Sequence, residues 1–140
     1  MTSTIDLQIY LEIKIISMRM YKNFSSRLRE SGLTPSEAIV ILKIFYDKNP
    51  VTPTDVAFFL NVARSRSSRI ISSLLEKRLI KHLEVPKDKR QKRFILSTSG
   101  GELAKKLENF LKDEVDNHFN LLDEMQKIDL LQIFKRVNSY

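Results

Sequence analysis

The chain has 140 residues, 42% of them hydrophobic, with 24 Lys or Arg against 17 Asp or Glu and a formal net charge of +7. This length supports one domain with a real core and leaves little room for a second. The absence of Cys excludes disulfides, thiolate metal sites and cysteine nucleophiles. Because no apolar run approaches the roughly 20 residues of a membrane span and the first residues lack a signal-peptide pattern, we expect a cytoplasmic protein.

The first predicted helix covers residues 5 to about 29 and is apolar around most of its circumference. A helix that is apolar on more than one face must be covered on more than one side. Its own domain can cover one side, and a second copy of the chain is the most economical cover for the other. We therefore expect residues 5–30, with residues 100–138, to form a two-fold dimer interface. The main apolar stripe consists of Ile9, Ile13, Ile16, Met20 and Phe24.

Two helix-start signals with the same chemistry follow. Thr34-Pro35-Ser36-Glu37 and Thr52-Pro53-Thr54-Asp55 each offer a hydroxyl N-cap, a proline at the first helical position and a carboxylate two residues later. The carboxylate can reach back to the backbone N–H of the cap, and proline's missing N–H costs nothing there. The first signal predicts a helix to about Asp47, and the second a short helix to Leu60.

A short break at residues 61–63 separates this second helix from a further one, predicted from Arg64 to about Arg78. Ala57 supplies a small side chain where the two helices must approach closely. Asn61 tolerates the left-handed backbone conformation better than any residue except glycine, as a tight turn requires. The spacing predicts a helix-turn-helix.

Beyond Arg78 the apolar period changes from helical to two. Leu83 and Val85, then Phe94 and Leu96, alternate with neighbours of the opposite face, which predicts two strands within residues 81–97 and a charged turn between them. Ser99 with Glu102 predicts the cap of a long helix, and a last helix spans about residues 127–138. The predicted fold is one mainly α domain, with the central unit at about residues 34–97, a two-stranded hairpin and flanking dimerisation helices.

The positive charge is concentrated in residues 64–93. This stretch holds eleven Lys or Arg against three acidic residues, a local net charge of +8, so the rest of the chain sums to −1. A merely solvated face would mix both signs, and the concentration therefore predicts a surface for a polyanion, most simply nucleic acid. On the first turns of the helix, base edges or phosphates are within reach of Arg64, Ser65, Arg66, Ser68 and Arg69.

The charged turn carries a second group of candidate DNA contacts. Arg90 suits a narrow minor groove, whose concentrated negative potential attracts a guanidinium group. Asp88 can hold Arg90 in place through a charge-assisted pair. Phosphate contacts are the best interpretation of Lys87, Lys89, Lys92 and Arg93.

At these residues the chain resembles the MarR family of winged helix-turn-helix regulators. Asp88-Lys89-Arg90 matches the family's Asp-x-Arg wing signature, followed at the family's spacing by Leu96-Ser97 and Gly100. The resemblance implies a winged helix-turn-helix fold and a homodimer on a pseudo-palindromic duplex, with recognition helices in major grooves and wings along minor grooves. It also implies a small aromatic anionic effector, for which the pocket candidates are Met18, Tyr21 and Phe45.

Three positions depart from the family pattern. Arg78 stands where the family usually has a glycine to end the recognition helix, which predicts a strained or altered exit turn. Ser67 replaces a usual aliphatic residue and predicts looser packing. Ala63 replaces a usual Ser or Thr N-cap, a loss that costs on the order of 1 kcal/mol.

The function predicted from the sequence is a sequence-specific DNA-binding transcriptional regulator, a dimeric repressor relieved by a small effector. An enzyme is disfavoured because the chain has no nucleophilic triad, phosphate loop or paired catalytic carboxylates. His82 and His118 lie far apart without clustered ligands, so we expect no metal or other cofactor. The alternatives are an architectural DNA-binding protein of low specificity and a winged-helix module that binds protein.

Overall fold

The structure is a computed structural model of the chain, and it describes residues 1–84 and 92–139. It is mainly helical with a two-stranded antiparallel sheet, as the sequence predicts. A 3-10 turn at Arg29–Ser31 follows the first helix. In chain order the elements are α1 (Thr4–Leu28), α2 (Pro35–Asp47), α3 (Pro53–Leu60), α4 (Arg64–Glu76), β1 (Ile80–Leu83), β2 (Arg93–Leu96), α5 (Thr98–Phe119) and α6 (Glu124–Asn138).

The two predicted capping boxes form at the starts of α2 and α3. The backbone N–H of Glu37 donates to Thr34 Oγ1 at 3.2 Å, and the N–H of Thr34 donates to Glu37 Oε1 at 3.0 Å. Thr52 and Asp55 make the same reciprocal pair at 3.1 and 2.9 Å. Both helices therefore begin where the local chemistry predicts, because each box satisfies backbone donors that the first turn leaves unpaired.

The predicted start of α5 is wrong by two residues. Ser97, rather than Ser99, is the N-cap, and its hydroxyl accepts the N–H of Gly100 at 3.0 Å. Strand β2 ends at Leu96, so the chain enters the helix immediately. Helix α6 also begins earlier than predicted, at Glu124, because Asp123 closes a capping box with Gln126.

One residue of the α2–α3 connection pairs with the hairpin through its backbone. Strands β1 and β2 pair from Ile80 opposite Leu96 to Leu83 opposite Arg93. Val51 forms an isolated antiparallel bridge with Phe94, with two backbone hydrogen bonds of 3.0 and 2.9 Å. This bridge fixes the base of the hairpin beside the start of α3.

The core lies between α2, α3, α4, the hairpin and the first half of α5. Its largest fully buried side chains are Phe94, Leu28, Ile41, Leu74 and Leu107. Helix α1 contributes only Leu28 to the fully buried set, and no described residue of α6 is buried. None of the helices within residues 1–84 and 92–139 is long and apolar enough to cross a membrane.

The junction between α4, β1 and α5 depends on two special backbone positions. Arg78 adopts the left-handed conformation, with φ at 59°, in a Schellman ending where the N–H of Leu79 donates to the carbonyl of Leu74. An arginine in this conformation is strained, as the departure from the family pattern predicts. At Gly100 a Cβ atom would lie 2.0 Å from the carbonyl oxygen of Leu79, so only glycine fits.

Candidate nucleic-acid interface

Helix α4 presents two distinct faces. Its buried face consists of Ser67, Ile70, Ile71 and Leu74, at the spacing of one helical side. The five residues that the sequence nominates for DNA contact all lie exposed on the remaining surface: Arg64, Ser65, Arg66, Ser68 and Arg69. The cationic side of α4 is therefore available to a large partner along its whole first half.

The turn between α3 and α4 is closed by backbone hydrogen bonds, from Asn61 to Phe58 and from Val62 to Ala57, without a side-chain cap on α4. Asn61 takes the predicted left-handed conformation, with φ at 54° and ψ at 52°. Ala63 makes no side-chain cap, as the sequence predicts. Ser67, where looser packing is predicted, is fully buried, and its hydroxyl donates to the carbonyl oxygen of Pro53 at 2.5 Å. This bond ties α4 to the first turn of α3 and offsets the lost aliphatic contact.

A groove of about 840 Å³ runs beside the exposed face of α4. Arg64 Nη1 donates to Thr54 Oγ1 at 2.5 Å, which fixes the guanidinium group at the edge of this groove. Among the described residues that line the groove, Asp55 is the one acidic residue, and its carboxylate already accepts the backbone N–H of Thr52. The groove is therefore net cationic. It is lined by Asn49, Pro50, Thr52, Pro53, Thr54, Asp55, Arg64, Ser68, Lys92 and Arg93.

The groove brings together residues that the sequence treats separately. Lys92 and Arg93, from the hairpin, stand beside Arg64 and Ser68 of α4. Sequence reasoning missed the contribution of Thr54. Its position in the first exposed turn of the helix-turn-helix was the available signal, because hydroxyls and backbone N–H groups there commonly contact phosphates.

Lys77, although part of the cationic stretch, is paired with the buried carboxylate of Glu37. Its Nζ donates to Glu37 Oε2 at 2.8 Å, to Glu37 Oε1 at 3.0 Å and to the carbonyl of Gly32 at 3.0 Å. Ser73 Oγ adds a hydrogen bond to Glu37 at 2.9 Å. Burial raises the pKa of the Glu37 carboxyl, but the hydrogen bonds from Lys77, Thr34 and Ser73 outweigh burial and hold that pKa below its ordinary value. The cluster joins the start of α2 to the end of α4.

The predicted wing-tip contacts lie outside the described residues. This applies to Lys87, Asp88, Lys89 and Arg90, whose assignment stays a prediction from the sequence. The described parts of the hairpin place Lys92 and Arg93 on its exposed side. The ring of His82 packs against Phe94 with centroids 4.8 Å apart. Within residues 1–84 and 92–139, no three His, Cys, Asp or Glu side chains form a group that could hold a metal ion.

The three residues nominated for an effector pocket are not brought together. A cavity of about 680 Å³ lies between α1, α5 and α6, and only Tyr21 of the three lines it. Met18 is exposed outside the lining. It lies two residues after Ile16, which does line the cavity, and a step of two residues leads to nearly the opposite side of a helix. Phe45 is half-buried and packs edge-on against Tyr46.

A short helix, a left-handed turn, a second helix with a cationic outer face and a two-stranded hairpin define a winged helix-turn-helix protein. Comparison with known proteins identifies its relatives. The model of the MarR family matches residues 31–91. The HTH-type transcriptional regulator YdgG of Bacillus subtilis (strain 168) is 28% identical over 101 residues, which span 71% of this chain and 66% of that relative's length.

Solved structures share the fold over nearly the whole chain. MepR of Staphylococcus aureus in its DNA-binding conformation gives a TM-score of 0.78 at 20% identity, covering 94% of this chain and 96% of that one. The complex of MepR with DNA gives a TM-score of 0.69 at 21% identity, covering 93% and 94%. The family model matches the helix-turn-helix region and the shared fold extends over nearly the whole chain, so the chain has a winged helix-turn-helix fold of the MarR type.

Proposed function

We propose that this protein is a sequence-specific DNA-binding regulator that acts as a homodimer and represses by occupying a promoter. The observation that carries the proposal is the exposed cationic face of α4, continuous with Lys92 and Arg93 across one groove. A fold shared with MepR, which has been solved in complex with DNA, supports the same use of this face. Phosphate contacts would supply affinity and register, and contacts to base edges would supply specificity.

The geometry of α4 suggests different roles for its arginines. At about 100° per residue, Ser65, Arg69 and Ser72 lie diametrically opposite the buried face of the helix. The side opposite the core reaches deepest into a major groove, so we assign base reading to Arg69. Arg64 is turned toward α3 by its bond to Thr54, which suits it to a phosphate at the groove wall.

The outer helices support a dimer. On α1, the apolar residues Leu7, Tyr10 and Leu11 are each more than half exposed, and on α6 so are Leu131 and Val137. Exposed apolar side chains concentrated on two helices are typical of a protein interface. A two-fold dimer formed by α1, α5 and α6 would place two α4 helices for half-sites about one helical turn apart. This arrangement would demand a pseudo-palindromic operator.

The experiment begins with selection of bound duplexes from a random library, followed by anisotropy titrations at one stated salt concentration. Arg69→Ala should cost about 1 to 3 kcal/mol on the selected site and little on random duplex. Arg64→Ala should weaken both duplexes alike and lower the salt slope by about 1. In the wing, Arg90→Ala should behave like Arg69→Ala and weaken binding mainly on the selected site. Lys87→Ala should behave like Arg64→Ala and weaken binding to both duplexes alike.

Operator spacing separates this proposal from an architectural DNA-binding protein. Inserting about 5 base pairs between the half-sites rotates them to opposite faces of the duplex, so a rigid dimer should lose most of its specific affinity. Equal affinity for the native and lengthened sites would refute specific regulation and favour the architectural alternative. No binding to any duplex would favour a protein-interaction module.

A further inference from the structure

Helix α4 is anchored at its two ends to different parts of the chain. Its first half is tied to α3, because the hydroxyl of Ser67 donates to the carbonyl oxygen of Pro53 at 2.5 Å. Its end is tied elsewhere, through the C-cap residue Lys77. The Nζ atom of Lys77 donates to both carboxylate oxygens of Glu37, in the first turn of α2, and to the carbonyl oxygen of Gly32.

The bond to Gly32 connects α4 to the outer helix α1. Gly32 ends the 3-10 turn that continues from α1 in helical backbone. Leu28, the last residue of α1, is only 1% exposed, so this end of α1 is fixed in the core. Within residues 1–84 and 92–139, the bond from Lys77 to Gly32 is the only hydrogen bond between α4 with its C-cap and the segment that joins α1 to α2.

The ammonium group of Lys77 is held in one place. Its three acceptors, at 2.8 to 3.0 Å, match the three N–H donors of an ammonium group. Glu37 is only 3% exposed and is itself held by Ser73 and by the backbone N–H of Thr34. Charge-assisted hydrogen bonds to such a carboxylate are short and strong, and they define the position of the end of α4 relative to α1 and α2.

A small change at the end of α4 is amplified at its start. The helix has 13 residues. It is therefore about 20 Å long, and a tilt of about 10° around its end moves its first turn by about 3.5 Å. The rise of one base pair is about 3.4 Å. In a two-fold dimer both copies tilt, so the separation of the two first turns changes by up to about two base-pair steps.

We propose that Lys77 is a positioning residue, which sets the angle of α4 relative to the outer helices and thereby the half-site spacing that the dimer accepts. The inference rests on the proposed function, since it requires two copies on one duplex. In this role Lys77 makes no contact with DNA, because acceptors of the protein engage all three of its donors. It acts through α4, whose first turns carry the candidate DNA contacts.

The first test measures the separation of the two α4 helices without DNA. The chain has no Cys, so a Ser65→Cys parent carries one nitroxide label per chain at an exposed position of α4. Double electron–electron resonance gives the distribution of distances between the two labels. Lys77→Met removes the donors and should broaden this distribution by about 3 to 7 Å, because each α4 can then tilt. Lys77→Arg keeps the charge and donors and should retain the narrow distribution.

The second test measures binding of unlabelled protein to the selected operator and to operators with one base pair added or removed between the half-sites. The wild type should bind the altered sites at least about tenfold more weakly, and Lys77→Met no more than about threefold more weakly. Lys43→Met makes the same change in net charge at an exposed ion pair and should keep the wild-type preference. An unchanged distance distribution or an unchanged spacing preference in Lys77→Met would overturn the proposal.

A further variant separates positioning from a general loss of packing. Ile44→Val removes one methyl group from the core, about two helical turns from Glu37. If it broadens the distance distribution as much as Lys77→Met, the effect belongs to packing and the positioning role is refuted. Lys77→Gln, with a shorter neutral side chain, takes the place of Lys77→Met if that variant does not fold.

The behaviour of the wild type distinguishes the two proposals. A wild type that is monomeric, or that binds all spacings equally, refutes the dimeric regulator and the positioning role together. A dimeric wild type with a sharp spacing preference, matched by Lys77→Met, refutes the positioning role alone.

Discussion

The central lobe, from α2 to the first turns of α5, and the outer helices, α1 and α6, use apolar residues in opposite ways. In the lobe, Ile41, Leu74 and Phe94 are almost completely buried by other parts of the same chain. On the outer helices, residues as apolar as Leu11 and Leu131 are each 56% exposed. The lobe buries its apolar side chains within its own core. The outer helices instead expose apolar surface to water, which costs free energy until a partner covers it.

The largest effect is expected where the lobe is packed most tightly. Gly100→Ala should lower the free energy of unfolding by about 3 kcal/mol or more, because its Cβ would meet the Leu79 carbonyl and backbone cannot move aside cheaply. The neighbouring Gly101 has nothing within 4 Å of an added Cβ. Gly101→Ala should therefore stabilise α5 by about 0.5 to 1 kcal/mol. Urea unfolding of both variants checks this, and equal effects would show that the lobe is loosely packed here.

The next effect concerns the buried ion pair of the lobe. Glu37→Ala should lower the free energy of unfolding by about 2 kcal/mol. This is less than the loss expected on breaking a fully buried pair, because the Lys77 side chain is 37% exposed. Asp47→Ala removes the exposed pair with Lys43 and should cost less than about 0.5 kcal/mol. Urea unfolding at pH 7 measures both. Similar losses would mean that burial does not distinguish the two pairs.

The same carboxylate predicts how stability depends on pH. The pKa of Glu37 lies below its ordinary value of 4.5, so its contribution to stability is complete above pH 4.5 and is lost as the pH falls through the lowered pKa. Glu37→Gln cannot titrate. The difference in unfolding free energy between wild type and Glu37→Gln should therefore shrink as the pH falls below 4.5. A constant difference would contradict the assigned ionisation.

A substitution on the outer helices tests the other half of the comparison. Leu131→Asp should raise the dimer dissociation constant by about tenfold or more, equivalent to about 1.4 kcal/mol, because it places a charge on the exposed apolar face of α6. Gln132→Asp, at the next position, makes the same change in charge on a polar residue. Sedimentation equilibrium separates the two variants. A monomeric wild type at micromolar concentration would remove the dimer from the proposed function.

The smallest effect is a gain in stability at the end of α4. Arg78→Gly should raise the free energy of unfolding by about 1 kcal/mol, since glycine adopts the left-handed conformation without strain. Arg78→Ala removes the same charge but keeps the strain and should give no such gain. Thermal unfolding compares the two variants. A gain of the same size from both would assign the effect to charge instead of conformation.

Local chemistry in the sequence predicts most of the fold. The Thr-Pro signals at residues 34 and 52 place the starts of α2 and α3, because a capping box involves only four neighbouring residues. The left-handed turn at Asn61 and the exposed cationic face of α4 follow in the same way. The predicted starts of α5 and α6 are wrong because polar residues suited to capping occur at several nearby positions, and packing selects among them.

The sequence by itself determined the helix-turn-helix, the hairpin and the excess of apolar surface on the first helix, because each depends on spacing between near neighbours. Only the tertiary structure decided that Lys77 pairs with Glu37, that Val51 forms a bridge with Phe94 and that Gly100 packs against the Leu79 carbonyl. It also brought Glu12 and Glu114, about 100 positions apart in the sequence, to the lining of one cavity between the outer helices. Contacts of this kind join single residues from distant segments, and they leave no periodic pattern in the sequence.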